Sequence, residues 1–270
     1  MGEKAGDCKA ARNFQVPAYE AFEFRPKRTK YCVVIPVINE GGRITRQLEK
    51  MRRVGYLADI IIADGGSADG STEKGRLRRL GVRTLLVKTG PGRLGAQLRM
   101  GYHYALVLQG YSGVVTVDGN GKDGVGAVPR FLEKLGEGYG LVQGSRFARG
   151  GAEENTPLSR LLAMRLVYTP LVSLLAGFGY TDATNGFRAY SKKFLLDARV
   201  GAFRKIFSTY ELLPYLSVKA PRLGYKVCEI PVSRVYPKDG ETPTKYGPVS
   251  GNLRFLKILL GLVLGKYDQR

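Results

Sequence analysis

The chain has no tryptophan, one histidine and three cysteines among its 270 residues. The histidine, His103, lies between two tyrosines in a predicted helix, so we expect a structural role for it and no histidine-based catalytic triad. The cysteines are odd in number and far apart, which favours neither a disulfide framework nor a zinc site. This usage is typical of a protein in a reducing compartment.

Acidic residues are also few: 23 Asp and Glu stand against 43 Lys and Arg, for a formal net charge of +20. Such an excess indicates a polyanion, an anionic membrane surface or a phosphate-bearing substrate as partner. The basic residues are scattered, and RNA-binding aromatic motifs, paired zinc ligands and basic-zipper heptads are missing. We therefore expect no specific nucleic-acid partner.

Long uninterrupted hydrophobic runs are missing as well. Of the two longest, residues 158–180 contain Arg160, Arg165 and Pro170, and residues 253–264 are too few to span ~30 Å of hydrocarbon. The first residues lack the apolar segment of a secretory signal. Both runs fit either buried core helices or helices that lie along a membrane with basic side chains at the headgroups. We expect a cytoplasmic protein that associates peripherally with a membrane.

Short apolar runs alternate with helical patterns through the first half of the chain. Strands are predicted at five places, separated by helices: 31–37, 58–64, 82–88, 113–118 and 139–145. This alternation predicts an α/β fold with a mostly parallel central sheet covered on both faces. We predict a basic arm over residues 1–30, the α/β domain over 31–235, and a mobile loop with a C-terminal amphipathic segment over 236–270.

Acidic side chains follow several predicted strands. Glu40, Asp64 and Asp118 come at or just after strand ends, and Asp123 follows shortly afterwards. Because the carboxyl ends of parallel strands meet at one edge of a sheet, we expect these groups to converge there. Oxygen ligands at such an edge suit Mg²⁺ or Mn²⁺ paired with substrate phosphates.

A glycine-rich turn offers a competing interpretation. Residues 90–95 read G-P-G-R-L-G, a literal G-x-G-x-x-G that follows a strand and opens a helix. On its own this motif predicts dinucleotide binding and an NAD-dependent oxidoreductase. Against it, the motif lies in the third strand–helix unit, and Pro91 stiffens the turn.

Taken together, the motifs resemble those of the family 2 glycosyltransferases, in the dolichyl-phosphate mannose synthase-like branch. The resemblance implies a GT-A fold, the nucleotide-sugar-binding α/β sandwich, over residues 31–235. The matching segments keep the order of the family along the chain: 36–40, 64–70, 93–96, 117–120, 144–147, 184–190 and 244–245.

The resemblance also implies roles for individual residues. Donor-binding residues would be Pro36, Val37, Asn39, Glu40, Asp64, Arg93 and Gly95, with Asp64 bonded to the base or ribose. The metal motif falls on Asp118 and Asn120, with Asp123 as a further candidate ligand. The residues that would carry catalysis are Asp118, Arg146, Arg188 and Lys245, the two arginines facing phosphates and Lys245 closing over the donor.

This sequence departs from the family pattern at two places. The usual D-D-G-S reads D-G-G-S, so Gly65 replaces a carboxylate. The metal motif reads D-G-N, and Lys122 stands where the mannose synthases often have glutamine. An amide binds Mg²⁺ less strongly than a carboxylate does, so a weaker dependence on metal is expected.

The implied reaction moves a hexose, mannose or glucose, from a GDP- or UDP-sugar to a polyprenyl or dolichyl phosphate with inversion. The acceptor phosphate is already anionic and needs no general base. The metal, Arg188 and Lys245 would stabilise the departing diphosphate. The alternative acceptor is a saccharide hydroxyl, which would need a base such as Glu153 or Glu154.

Overall fold

The computed structural model describes residues 14–53, 57–237 and 248–269. The ten strands of this part of the chain are β1 Tyr19–Glu23, β2 Tyr31–Val37, β3 Asp59–Asp64, β4 Thr84–Lys88, β5 Gly113–Thr116, β6 Leu141–Ser145, β7 Ala152–Glu154, β8 Arg188–Ser191, β9 Val227–Pro231 and β10 Ser233–Val235. Its α-helices are α1 Gly42–Arg53, α2 Lys74–Arg79, α3 Leu94–His103, α4 Val128–Gly136, α5 Leu158–Ala163, α6 Thr169–Ala176, α7 Lys192–Leu195, α8 Leu212–Arg222 and α9 Pro248–Val263.

Eight strands form one sheet in the order β1-β4-β3-β2-β5-β8-β6-β9. Strands β4, β3, β2 and β5 are parallel, and β9 is parallel to β6. Strand β8 runs antiparallel between β5 and β6. The predicted α/β fold with a mostly parallel sheet is confirmed, and all five predicted strands are present.

The middle of this sheet is buried on both faces, as its composition requires. Strands β2 and β3 consist largely of valine and isoleucine, the composition of a parallel strand covered by helices on both sides. One apolar cluster includes side chains of α3, α6, α8 and α9. The other includes side chains of α1, α2 and α4. The result is a three-layer sandwich in which the strand ends are open to ligands.

Part of the segment predicted as an arm belongs to the sheet. Strand β1 pairs antiparallel with β4, and Tyr19 lies opposite Lys88. The carboxylate of Glu23 accepts hydrogen bonds from Gln109 Nε2 at 3.0 Å and from buried Arg83 at 3.5 Å. Glu23, one charged residue of the segment predicted as an arm, is thus a partner of the sheet edge, and residues 1–13 lie outside the described residues.

The glycine-rich turn contacts the protein's own backbone. A Cβ on Gly95 would lie 2.5 Å from the carbonyl oxygen of Phe207, and one on Gly90 would lie 2.7 Å from the amide nitrogen of Ala18. The backbone at Phe207 and at Ala18 therefore packs so closely on the turn that only glycine fits at positions 95 and 90. The turn is explained without a dinucleotide, which removes the main support for the oxidoreductase interpretation.

The helix formed by α5, a π-helical turn (Met164–Tyr168) and α6 is largely exposed. By length and composition alone this stretch could cross a membrane. Only 22% of it is buried in the protein, so it is not a typical core helix. Its exposed leucines follow each other at helical spacing: Leu158, Leu162, Leu166 and Leu174. Helix α9 packs against it, with Phe255 edge-on to Tyr168 at 5.2 Å between ring centroids.

Candidate active site

The carboxyl ends of β2, β3 and β5 meet where the order of the strands in the sheet reverses, and the space outside these ends is called the crevice below. After β2 the chain continues to β3 on one side, whereas β5 lies on the other side of β2. Ligands of open α/β sheets bind outside the carboxyl ends of the strands at such a point. The loop 38–41 follows β2, Asp64 ends β3, and Asp118 follows β5. The predicted convergence of these residues is confirmed.

Two loops on the donor side of the crevice are bonded to each other. The amide nitrogen of Asn39 donates to Ser67 Oγ at 3.0 Å, and Asn39 Oδ1 accepts from the amide of Ala68 at 2.9 Å. Asn39 has a left-handed φ of 50°, a conformation that asparagine tolerates better than most residues. The loops after β2 and β3 therefore hold one fixed shape.

The carboxylate of Asp64 fixes the turn at Ser67 through hydrogen bonds. Both of its oxygens accept from the amide of Ser67 at 3.1 Å, and Oδ1 also accepts from Ser67 Oγ at 2.6 Å. Its side chain is buried, and Glu40, also buried, pairs with Arg43 at 3.1 Å. A contact between Asp64 and a base or ribose stays a prediction.

The floor of the crevice explains one departure from the family pattern. The carbonyl oxygen of Val37 accepts from the amide of Gly65 at 2.8 Å and from Gln97 Nε2 at 2.9 Å. A Cβ on Gly65 would lie 2.9 Å from Gln97 Nε2. The carboxylate missing at position 65 would need the space that Gln97 fills. Close by, the carbonyl oxygen of Pro36 accepts from the amide of Gly119 at 3.3 Å.

Asp118 lies beside an arginine that the sequence analysis did not single out. Arg234 Nη2 donates to Asp118 Oδ2 at 3.0 Å, and Asn120 Nδ2 lies 3.4 Å from the same oxygen. The oxygen Oδ1 faces Gly186, where a Cβ would lie only 3.0 Å away. Arg234 is on β10, which pairs with β7 and is remote in sequence. No local motif marks Arg234, so only the tertiary structure reveals it.

Asp123 does not have the place expected of a metal ligand. Arg234 Nη1 donates to both of its oxygens, at 2.6 and 2.7 Å, and the carboxylate has no exposed surface. Burial raises the pKa of Asp123 even though Arg234 opposes the shift. The prediction that Asp123 adds a metal ligand is corrected: it is the buried counter-ion of Arg234.

Lys122 completes the charged cluster. Its ammonium lies 4.5 Å from the ring centroid of Tyr236, and the residue is buried. Burial tends to raise the pKa of Asp118, but the positive charges of Arg234 and Lys122 outweigh it and lower that pKa. Arg160, on the exposed helix, donates to the hydroxyl of Tyr236 at 3.3 Å. A chain of contacts thus links Asp118 to that helix.

The cluster is poorly suited to hold a divalent cation by itself. Among the residues described, no group of three or more His, Cys, Asp or Glu side chains could bind a metal ion. Asn120 Oδ1 accepts from the amide of Lys122 at 3.2 Å, which closes its own turn. Asp118 is the one remaining carboxylate of the predicted motif, and it is already paired with Arg234.

Arg146 does not face the crevice. Its Nε and Nη2 donate to the carboxylate of Asp182 at 2.6 and 2.9 Å, and Nη2 also donates to Thr184 Oγ1 at 2.8 Å. Both charged side chains are buried. The expected phosphate contact of Arg146 is absent from this conformation, because the guanidinium is part of a buried ion pair that fixes the loop before β8.

Arg188 is enclosed in the same region. Its three guanidinium nitrogens donate to protein oxygens at 2.7–2.8 Å, on Ala183, Asn185, Leu213 and Ser217. The residue is fully buried. The expectation that it faces a phosphate is corrected: it joins the loop before β8 to helix α8.

The remaining predicted residues have mixed outcomes. Arg93 is exposed at the start of α3, beside β4, and its amide donates to the carbonyl of Ser208 at 2.8 Å. Lys245 lies outside the described residues. Glu153 accepts from the amide of Thr156 at 2.7 Å, which engages one of the two candidate bases for a hydroxyl acceptor.

A model of glycosyl transferase family 2 matches residues 32–197, more than half of the chain. The chain belongs to this family. It is 27% identical over 204 residues to polyprenol monophosphomannose synthase of Mycolicibacterium smegmatis, covering 74% of this chain and 76% of that protein. It is 28% identical over 223 residues to undecaprenyl-phosphate mannosyltransferase of Micrococcus luteus, covering 82% and 89%.

The fold is likewise that of a solved glycosyltransferase. Glucosyl-3-phosphoglycerate synthase of Mycobacterium tuberculosis, crystallised with Mn²⁺, UDP and phosphoglyceric acid, superimposes with a TM-score of 0.59 at 21% identity, covering 88% of this chain and 78% of that one. The predicted GT-A fold is confirmed, and this chain is a glycosyltransferase.

The buried pair Arg146–Asp182 should dominate local stability. We expect Arg146→Met to lower the free energy of unfolding by about 3–5 kcal/mol at pH 7, because it leaves a buried carboxylate without its partner. The matched control Arg149→Met, at an exposed position, should change it by less than about 0.5 kcal/mol. Urea denaturation of the three proteins measures both values.

The same pair predicts a pH dependence. Burial opposes ionisation of Asp182, but the bonds from Arg146 outweigh it and lower its pKa. The stabilisation from Asp182 is therefore complete above the pKa of an unfolded aspartate and is lost as the pH falls toward the lower folded value. In Arg146→Met the unpaired carboxyl gains a proton readily, so its deficit should be smaller at pH 4 than at pH 7. An equal deficit at both pH values would contradict this account.

Proposed function

We propose that this glycosyltransferase moves a hexose, mannose or glucose, from a GDP- or UDP-sugar to a polyprenyl or dolichyl phosphate with inversion. The reaction would take place at the cytoplasmic face of a membrane. The observation that carries the proposal is the chain of contacts from Asp118 through Arg234, Lys122 and Tyr236 to Arg160. These contacts connect the crevice proposed for the nucleotide-sugar donor to an exposed apolar helix.

The donor nucleotide would occupy the crevice between the ends of β2 and β5. The bonded loops at Asn39 and Ser67 support this placement because they provide a preformed wall, and Asp64 and Glu40 lie behind it. The family resemblance assigns a Mg²⁺ or Mn²⁺ ion to the donor diphosphate, but Asp118 with Asn120 offers such an ion little on its own. Arg93, which is exposed, and Lys245, which lies outside the described residues, are further candidates for contact with the donor.

The acceptor phosphate would lie beside Arg160, at the end of this chain of contacts nearest the exposed helix, so that Lys122 and Arg234 remain available to the donor diphosphate. Burial tends to raise the pKa of Tyr236, yet the charges of Arg234, Lys122 and Arg160 lower it. Arg234 is already paired with Asp118 and Asp123, so the cations that favour an anion near this phenol are Lys122 on the crevice side and Arg160 on the helix side. From Arg160 the exposed helix provides an apolar surface along which a lipid tail can extend.

Exposed apolar side chains on two packed helices support membrane docking. Leu158, Leu162, Leu166 and Leu174 are 49–78% exposed. On α9, Leu256, Leu260 and Val263 are 48–57% exposed, and Leu264 just after it is 72% exposed. Exposed apolar surface of this kind marks an interaction site. Arg165 and Lys257 are also exposed. Each is next in sequence to an exposed leucine, Leu166 or Leu256, and could therefore contact anionic headgroups beside the apolar surface.

The chemistry needs no general base. An oxygen of the acceptor phosphate bonds to the anomeric carbon while the bond from that carbon to the donor diphosphate breaks, and this displacement inverts the anomeric centre. Arg234 and Lys122 would stabilise the charge that grows on the leaving diphosphate. Arg146 and Arg188 act as positioning residues, because they fix the loop that places Gly186 against Asp118.

Transfer assays test the acceptor and the site together. With labelled GDP-mannose, UDP-glucose and related donors, we expect one donor to give a labelled polyprenyl phosphate. Asp118→Asn should lower kcat/KM about 100-fold or more, as for removal of a preorganised charged group. The control Asp268→Asn, at an exposed position, should retain activity. Transfer only to saccharide hydroxyls would contradict the proposed acceptor.

Vesicle sedimentation tests the docking surface. Replacement of Leu162 and Leu166 by aspartate should strongly reduce binding to vesicles that contain phosphatidylglycerol, because each change places a charge in the acyl boundary. The matched control is Leu108→Asp, 57% exposed in the turn after α3 at the opposite edge of the sheet. Equal binding by all variants would show that this helix does not meet the membrane.

A further inference from the structure

The charges around Asp118 differ from those of a metal-binding motif. The family pattern would place a second acidic residue at position 120 and often a glutamine at position 122. This chain has Asn120 and Lys122 there, and the structure adds Arg234. Two carboxylates, Asp118 and Asp123, thus face two cations.

This balance weakens the attraction for a divalent cation. Affinity of an oxygen site for such an ion depends on the number of charged ligands. Asp123 is enclosed by Arg234, and Asp118 shares an oxygen with the same guanidinium. An ion that approached Asp118 would also meet the repulsion of Lys122 and Arg234.

The same two cations are fixed in place. Arg234 is held by three hydrogen bonds of 2.6–3.0 Å to the two carboxylates. Lys122 is buried against the ring of Tyr236, and its carbonyl oxygen accepts from the amide of Val235 at 2.9 Å. A preorganised charge interacts more strongly with an anion than a mobile surface lysine does, because ordering it costs little on binding.

We propose that Lys122 and Arg234 bind the diphosphate of the donor directly, so that the chain binds a nucleoside diphosphate without a divalent cation. This inference rests on the proposed donor site and specifies its electrostatics. A glutamine at position 122 has no charge, so a metal ion would have to neutralise the diphosphate. Lys122 provides that positive charge itself. Asp118 keeps Arg234 oriented toward the crevice.

Calorimetric titration of the full chain with UDP and with GDP, in EDTA and then in Mg²⁺ or Mn²⁺, tests the proposal. For the nucleotide that binds, the dissociation constant in EDTA should be within about threefold of that in metal. Lys122→Gln should weaken binding in EDTA by roughly tenfold, as expected for loss of one charge-assisted contact. Added Mn²⁺ should restore part of that loss.

Three controls make the result specific. Lys193→Gln removes an exposed lysine just after β8, at the opposite edge of the sheet, and should bind like the wild type. Melting temperatures report whether each variant folds. If Lys122→Gln does not fold, the comparison of wild-type binding in EDTA and in metal still tests the proposal. Electron paramagnetic resonance of Mn²⁺ with the free protein should show no tight binding.

The possible outcomes separate the two proposals. Nucleotide binding that requires a metal, or tight binding of Mn²⁺ by the free protein, would overturn the role of Lys122 and Arg234 and leave the glycosyltransferase site intact. Absence of nucleotide binding under every condition would overturn this inference and the proposed donor site together.

Discussion

The ion pairs of the Arg234 guanidinium with Asp118 and Asp123 are the interaction on which the candidate site depends. The guanidinium reaches from β10 to Asp118 and Asp123, which follow β5, and thereby joins the outlying strand pair to the carboxyl edge of the main sheet. Replacing it would leave two carboxylates together in a largely buried place, which is costly. The position of Asp118, the nearby Lys122 and the link to Tyr236 all depend on this one side chain.

Two buried arginine networks support the same edge from behind. Arg146 with Asp182, and Arg188 with the carbonyls around it, fix the loop that ends at β8. Because Gly186 of this loop lies against Asp118, a shift of the loop would move the carboxylate at the centre of the site. The arginines of the family motifs therefore shape the crevice from inside the protein, while Arg234 bonds directly to Asp118.

The fold could be predicted from sequence because its signals are local. Valine and isoleucine runs mark β2 and β3, and helical spacing marks the segments between strands. The acidic residues at strand ends were placed correctly because parallel strands share an edge. Arg234 could not be found in this way, since its partners are more than a hundred residues away. Neither the burial of Arg146 and Arg188 nor the pairing of β1 follows from a local pattern, because each depends on how loops and strands pack in the folded chain.

Hydrogen–deuterium exchange with and without nucleoside diphosphate tests most directly whether the crevice between β2 and β5 is the donor site. The account predicts protection of the amides of residues 38–41, 65–68 and 118–121 on addition of UDP or GDP. Protection confined to residues 90–95, or elicited by NADH instead, would contradict it and return the glycine-rich turn to the role of a dinucleotide site.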